Sequence, residues 1–121
     1  MWLSSYIVRM SEAVPPHVEV YHTADGRSPF SEWLRGLKDR VAGARIRARL
    51  ARVRLGNFGD TSSLGGGLHE LRIDHGPGYR VYFGRAGDRL VLLLCGGAKR
   101  TQARDIEKAR TFWSDYRSRS S

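Results

Sequence analysis

"GYRVYFGRAGDRLVLLLCGGAKRTQ", residues 78–102, reads as a strand, a turn, a second strand and the start of a helix. Tyr79, Val81 and Phe83 alternate with Arg80 and Tyr82, the period-2 signature of a strand. Ala86-Gly87-Asp88 is tight-turn chemistry. The run Leu90–Leu94 is apolar on both faces, as expected of a central strand covered on both sides. Gly96-Gly97 ends it, and Lys99-Arg100 follow just before Thr101, which can cap a helix. Arg80 inside an apolar strand and two cations at the end of the next together suggest an anionic ligand.

Outward from this hairpin, Leu68–His75 makes a further strand, joined to it by Gly76-Pro77-Gly78, so three strands form an antiparallel meander. Residues 57–67, rich in Gly, Ser, Thr and Asp, read as a loop. Ser28-Pro29 supplies an N-cap and a first-turn proline. Phe30, Trp33, Leu34 and Leu37 then share one helical face. Asp39-Arg40 leads into a second helix ending at Leu55-Gly56, with an apolar stripe of Ile46, Leu50 and Val53. Arg45, Arg49 and Arg52 line one of its flanks, and Arg47 and Arg54 the other. His17–Thr23 is a half-buried strand, and a last helix buries Ile106, Ala109, Trp113 and Tyr116. The order β-α-α-β-β-β-α predicts an α+β fold with a small, mostly antiparallel four-stranded sheet.

The 121 residues suit one domain. We expect it to span residues 17–117, after a loose tail or over-long start at 1–16 (Met10 is a second plausible start) and before a disordered end at 118–121. With 21 Lys plus Arg against 12 Asp plus Glu, the net charge is +9. Such a chain attracts polyanions, nucleic acid first among them. Lysine occurs only at Lys38, Lys99 and Lys108; arginine, which supplies the rest, suits bidentate phosphate binding. The single cysteine, Cys95, excludes an internal disulfide framework and suits a reducing cytoplasm. No segment reads as a signal peptide or a membrane span. The four histidines lack metal-ligand spacing, so no metal or other cofactor is expected.

Strand alternation puts Glu70, Arg72, Arg80 and Tyr82 on one side of the sheet, with Lys99 and Arg100 arriving at its edge. Such a patch could hold a phosphate and stabilise the charge of a phosphoryl transition state. The same residues read equally well as cross-strand ion pairs. His69 and His75 border the second strand of the meander and could carry a proton.

The chain resembles the RelE/ParE toxin superfamily of bacterial toxin–antitoxin systems, in particular the HigB-like group called addiction module killer proteins. The likeness runs through Ser28–Leu34, Ala44–Leu50, Leu55–Asp60, Glu70–Ile73, Gly76–Tyr82, Leu94–Gly97 and Lys99–Gln102, and covers about residues 20–113. It implies a microbial-RNase-like fold and a cytoplasmic, growth-inhibiting toxin. The activity implied is a ribosome-dependent, metal-independent endoribonuclease, in which the ribose 2′-hydroxyl of a messenger RNA attacks the adjacent phosphate. Arg80 matches the phosphate-binding arginine of the family, Arg72 a basic residue of the preceding strand, and Arg100, with Lys99, the basic position after the last strand. Glu70 stands where RelE has a second basic residue, and Ile106 where it has a catalytic tyrosine. Glu70 is then either the base or a group that orients Arg72 and Arg80, with His69 and Tyr82 in reserve.

Arg45, Arg49, Arg52, Tyr82 and His69 are the candidate RNA contacts. Partners implied are messenger RNA, the ribosome and a cognate helix-turn-helix (HigA-like) antitoxin; operator DNA would be met only through the antitoxin complex, and no membrane is expected. Two other functions remain: a ParE-like inhibitor of DNA gyrase acting by binding, and a non-enzymatic basic module that binds nucleic acid.

Overall fold

In a computed structural model, residues 15–87 and 89–120 are described. Most of the tail expected at 1–16 therefore lies outside the described residues. The elements are β1 (His17–Val20), α1 (Pro29–Gly36), α2 (Arg40–Arg54), β2 (Thr61–Gly65), β3 (Leu68–Ile73), β4 (Tyr79–Ala86), β5 (Leu90–Ala98) and α3 (Gln102–Ser120), with a 3₁₀ turn at Lys99–Thr101 before α3. The fold is α+β, as expected.

The sheet has five strands rather than four, in the order β1-β5-β4-β3-β2, with β1 parallel to β5 and all other pairs antiparallel. The extra strand, β2, lies inside the segment that composition marks as a loop. Its Thr-Ser-Ser-Leu-Gly sequence has no apolar alternation, because an edge strand that packs little needs only backbone pairing. Ser62 opposes Glu70 and Thr61 opposes Leu71, and the register shifts between Ser63 and Gly65.

Both faces of the sheet are covered. On one, Leu71, Ile73, Val81, Phe83, Val91 and Leu93 pack against Phe30 of α1 and Ile46, Leu50 and Val53 of α2. On the other, Leu68, Tyr82, Leu92, Leu94 and Cys95 pack against Ala109 and Trp113 of α3. The helices begin where their caps dictate. Ser28 Oγ accepts from Ser31 N at 3.4 Å, and Asp39 Oδ1 accepts from Val41 N at 3.0 Å and Ala42 N at 3.1 Å.

Helix α3 continues to Ser120, so residues 118–120 are helical rather than the disordered end expected. Arg119 anchors this last turn, donating to Asp115 Oδ2 at 2.6 Å and to the His22 carbonyl at 2.7 Å.

Two strand glycines seat the large aromatics. A Cβ on Gly84 would fall inside the Trp113 ring, and one on Gly96 inside the Trp33 ring. Each tryptophan thus lies directly on strand backbone, which only glycine permits. Gly84→Ala is expected to lower the urea midpoint by an amount equivalent to about 1–3 kcal/mol or more, and to red-shift Trp113 emission in the native baseline if the ring is displaced. An unchanged midpoint would contradict this packing.

Candidate functional site

Strand register builds the site in two rows on the α3 side of the sheet. Arg72 opposes Arg80, which opposes Gly97; one row in, Glu70 opposes Tyr82, which opposes Cys95. Antiparallel pairing and period 2 thus put two guanidiniums and one carboxylate side by side, as alternation predicts. The surface is not open, however. Helix α3 closes over its inner row, leaving Glu70 at 2% and Tyr82 at 0% exposure. The outer row keeps some contact with solvent: the Arg72 side chain is 31% exposed and that of Arg80 12%.

Glu70 is the hub. Its Oε2 accepts from Arg72 Nη1 and Arg80 Nη1, both at 2.9 Å, and its Oε1 accepts from Gln102 Nε2 at 2.7 Å. A buried carboxylate must be paired to remain charged, and here both oxygens are engaged. This suits the orienting role considered for Glu70 better than that of a general base. Arg72 is held further by Asp60 Oδ1, which accepts from its Nε at 3.0 Å and its Nη2 at 2.7 Å, and by Ser62 Oγ at 2.5 Å. Arg80 differs. Only its Nη1 is engaged, and Nε and Nη2 have no hydrogen-bond partner among the described residues. A guanidinium carries five N–H donors, so Arg80 retains most of its capacity for an anion. Lys99 and Arg100, both exposed, sit in the 3₁₀ turn, where Lys99 N donates to the Gly78 carbonyl at 2.9 Å.

A second buried carboxylate, Asp105, lies over the outer row. Its Oδ2 accepts from Thr101 Oγ1 at 2.5 Å, and a Cβ on Gly97 would collide with it. Tyr82 lies within the electrostatic reach of both carboxylates. Burial first, then Glu70, pushes its phenol pKa up, so it stays protonated, and its hydroxyl finds no hydrogen-bond partner among the described residues.

Several expected contacts belong elsewhere. His69 points to the opposite face of the sheet, where it stacks on Phe83 at 5.3 Å; burial, then Arg85, lowers its pKa. It cannot serve as the reserve base, because one step along a strand reverses the face. Tyr82 has no exposed surface with which to contact RNA. Arg49 clasps the backbone: Nη1 donates to the Arg72 carbonyl at 2.5 Å and Nη2 to the Phe58 carbonyl at 3.0 Å. Arg45 and Arg52 are exposed, but on α2, across the sheet from Glu70. His75 pairs with the α2 cap, its Nε2 3.1 Å from Asp39 Oδ2.

Gln102, Asp105, Asp60 and Ser62 escaped the sequence reading. Asp60 and Gln102 end two of the stretches that carry the resemblance, and Asp105 lies one turn beyond Thr101, after the Gly96-Gly97 pair that invites close approach.

Burial pushes the Cys95 thiol up to about 12. A neutral, buried thiol is inert, so a chromogenic disulfide reagent is expected to leave the native protein unlabelled for hours and to react within minutes in denaturant. Rapid labelling of the native state would show that α3 opens readily.

Acid should loosen the frame. Arg72 beside Asp60, the Ala42 amide beside Asp39, and the Tyr21 hydroxyl, then Arg119, beside Asp115 hold these carboxyls below the ordinary aspartate value of 3.8. A pKa depressed on folding gives stability that is present above 3.8 and lost as pH falls through the folded value. The urea midpoint is therefore expected to fall as pH drops from 4 towards 2, which denaturation curves at stepped pH will check.

No family model matches the chain. Over 81 residues it is 52% identical to an uncharacterized protein of Haemophilus influenzae strain Rd, an alignment covering 67% of this chain and 82% of the relative. The two proteins belong to one family. The Haemophilus relative carries no stated activity, so what either protein does rests on the chemistry of the site. Among the described residues, no helix is long and apolar enough to cross a membrane.

Proposed function

We propose that this protein is a RelE-type toxin, an endoribonuclease that cleaves messenger RNA on the ribosome, with Arg80 as the principal phosphate ligand. The observation that carries the reading is the state of Arg80. Its guanidinium is fixed through Nη1 by a buried carboxylate, while Nε and Nη2 have no hydrogen-bond partner among the described residues. A preorganised, partly desolvated guanidinium is suited to hold a scissile phosphate and to stabilise the charge that grows as the 2′-hydroxyl attacks. Arg72, on the same carboxylate, and the exposed Lys99 and Arg100 extend the cationic surface. Glu70 acts by orienting both arginines. Neutralisation by a cognate helix-turn-helix antitoxin belongs to the same proposal, as does a cytoplasmic site of action.

Primer extension on a defined message in a reconstituted translation reaction tests it. Discrete 5′ ends that require both protein and ribosomes support the nuclease reading; an intact message with normal synthesis overturns it. One observation favours a second reading, inhibition by binding alone: both Glu70 oxygens already accept hydrogen bonds, and Tyr82 is buried. Loss of gyrase supercoiling with intact message would support a ParE-like role.

A further inference from the structure

Helix α2 presents Ile46, Leu50 and Val53 to the sheet. Its opposite face is also patterned. Val41, Ala44, Ala48, Ala51 and Leu55, the last at the C-cap, recur at alternating spacings of three and four, and all are exposed. Val41, at 55%, and Leu55, at 71%, are the exposed large hydrophobics among the described residues. In heptad notation these positions are a, d, a, d and a, the seam of a coiled coil. The flanking e positions are Arg45 and Arg52, and the flanking g positions are Arg40, Arg47 and Arg54. Every flank position is thus an arginine, and none of the five makes an ion pair or hydrogen bond through its side chain among the described residues.

An apolar seam flanked throughout by one charge is specific in what it accepts. A second copy of the chain would set arginine rows against arginine rows, and like charges at e and g disfavour pairing. Nucleic acid would gain from cations along the centre of the face, yet the centre is apolar for about 21 Å. A helix with apolar a and d residues and carboxylates at e and g satisfies both features. The alanines permit close approach of such a helix.

We propose that the outer face of α2 is a docking surface for an acidic amphipathic helix of a different protein. This rests on α2 alone, across the sheet from Glu70, and holds whether or not that cluster cleaves RNA.

The test uses the full chain and two fluorescein-labelled synthetic helices with leucine at a and d, one with glutamate and one with lysine at every e and g. The glutamate peptide is expected to raise fluorescence anisotropy saturably, with the lysine peptide at least a hundredfold weaker. Ala48→Arg, at an exposed helix position, should weaken the glutamate peptide at least tenfold although it adds a favourable charge. The double variant Arg45→Glu/Arg52→Glu should weaken it at least tenfold and improve the lysine peptide. Circular dichroism of each variant confirms that the fold is retained. Failure of the glutamate peptide to bind, or an Ala48→Arg affinity equal to wild type, overturns the proposal. So does a double variant that loses tenfold in affinity for a 20-nucleotide single-stranded RNA while keeping the glutamate peptide, since the arginines would then serve phosphates.

Discussion

Arg80→Gln is expected to lower ribosome-dependent message cleavage by about 10²–10³-fold, the usual cost of removing one preorganised charge-stabilising group from a transition state. Glutamine is neutral and shorter. It can still donate one hydrogen bond towards Glu70, but it cannot present the Nε and Nη2 donors, which no described residue engages in the native protein. Arg72 keeps its contacts with Glu70, Asp60 and Ser62, and Gln102 still donates to Glu70 Oε1. Ribosome binding, spread over the remaining exposed cations, should therefore change much less than cleavage. Primer extension with wild type and variant at equal ribosome occupancy measures the difference. Proportional loss of binding and cleavage would make Arg80 an affinity determinant and move the protein to the binding-only reading.

Glu70→Ala should have the largest effect on stability. Removing one member of a buried charge cluster leaves its partners desolvated and unpaired, at about 3–5 kcal/mol. Here Arg80, 12% exposed, would lose the carboxylate that accepts from its Nη1, Gln102 would lose the acceptor of its 2.7 Å bond, and Arg72 would keep Asp60 and Ser62. A fall of more than about 10 °C in Tm is expected for a chain of this size. Glu70→Gln keeps the volume and one acceptor and should fall well short of that loss, which calorimetry on the two variants will separate. Glu70→Gln that retains cleavage would also exclude Glu70 as the base, since an amide cannot take the proton. Loss of cleavage in a stable Glu70→Gln protein would return the base role to consideration.

Much of this was legible in the chain. The 3.6-residue spacing of Phe30, Trp33 and Leu34 and of Ile46, Leu50 and Val53 marks the helices and the face each buries. The period-2 pattern of residues 68–73 and 79–83 predicts which side chains share a sheet face, and Glu70, Arg72, Arg80 and Tyr82 do share one. Such regularities survive in sequence because they arise from local backbone geometry.

Other features depended on contacts between distant segments. The edge strand β2 forms from backbone pairing with β3, and its Thr-Ser-Ser sequence carries little trace of that. Alternation assigns Glu70 and His69 to opposite faces but cannot tell which faces a helix will cover. With α3 docked over Tyr82 and Glu70, an apparent surface patch became a buried carboxylate with two partly exposed arginines at its rim. Arg49 looks like its neighbours Arg45 and Arg52 in the chain. Only the approach of the Phe58 and Arg72 carbonyls turns it into a clasp. Composition, charge and periodicity were enough for the class of fold and the shared face. Which polar groups stay free for a ligand was decided by tertiary packing, because hydrogen-bond partners are found in space rather than along the chain.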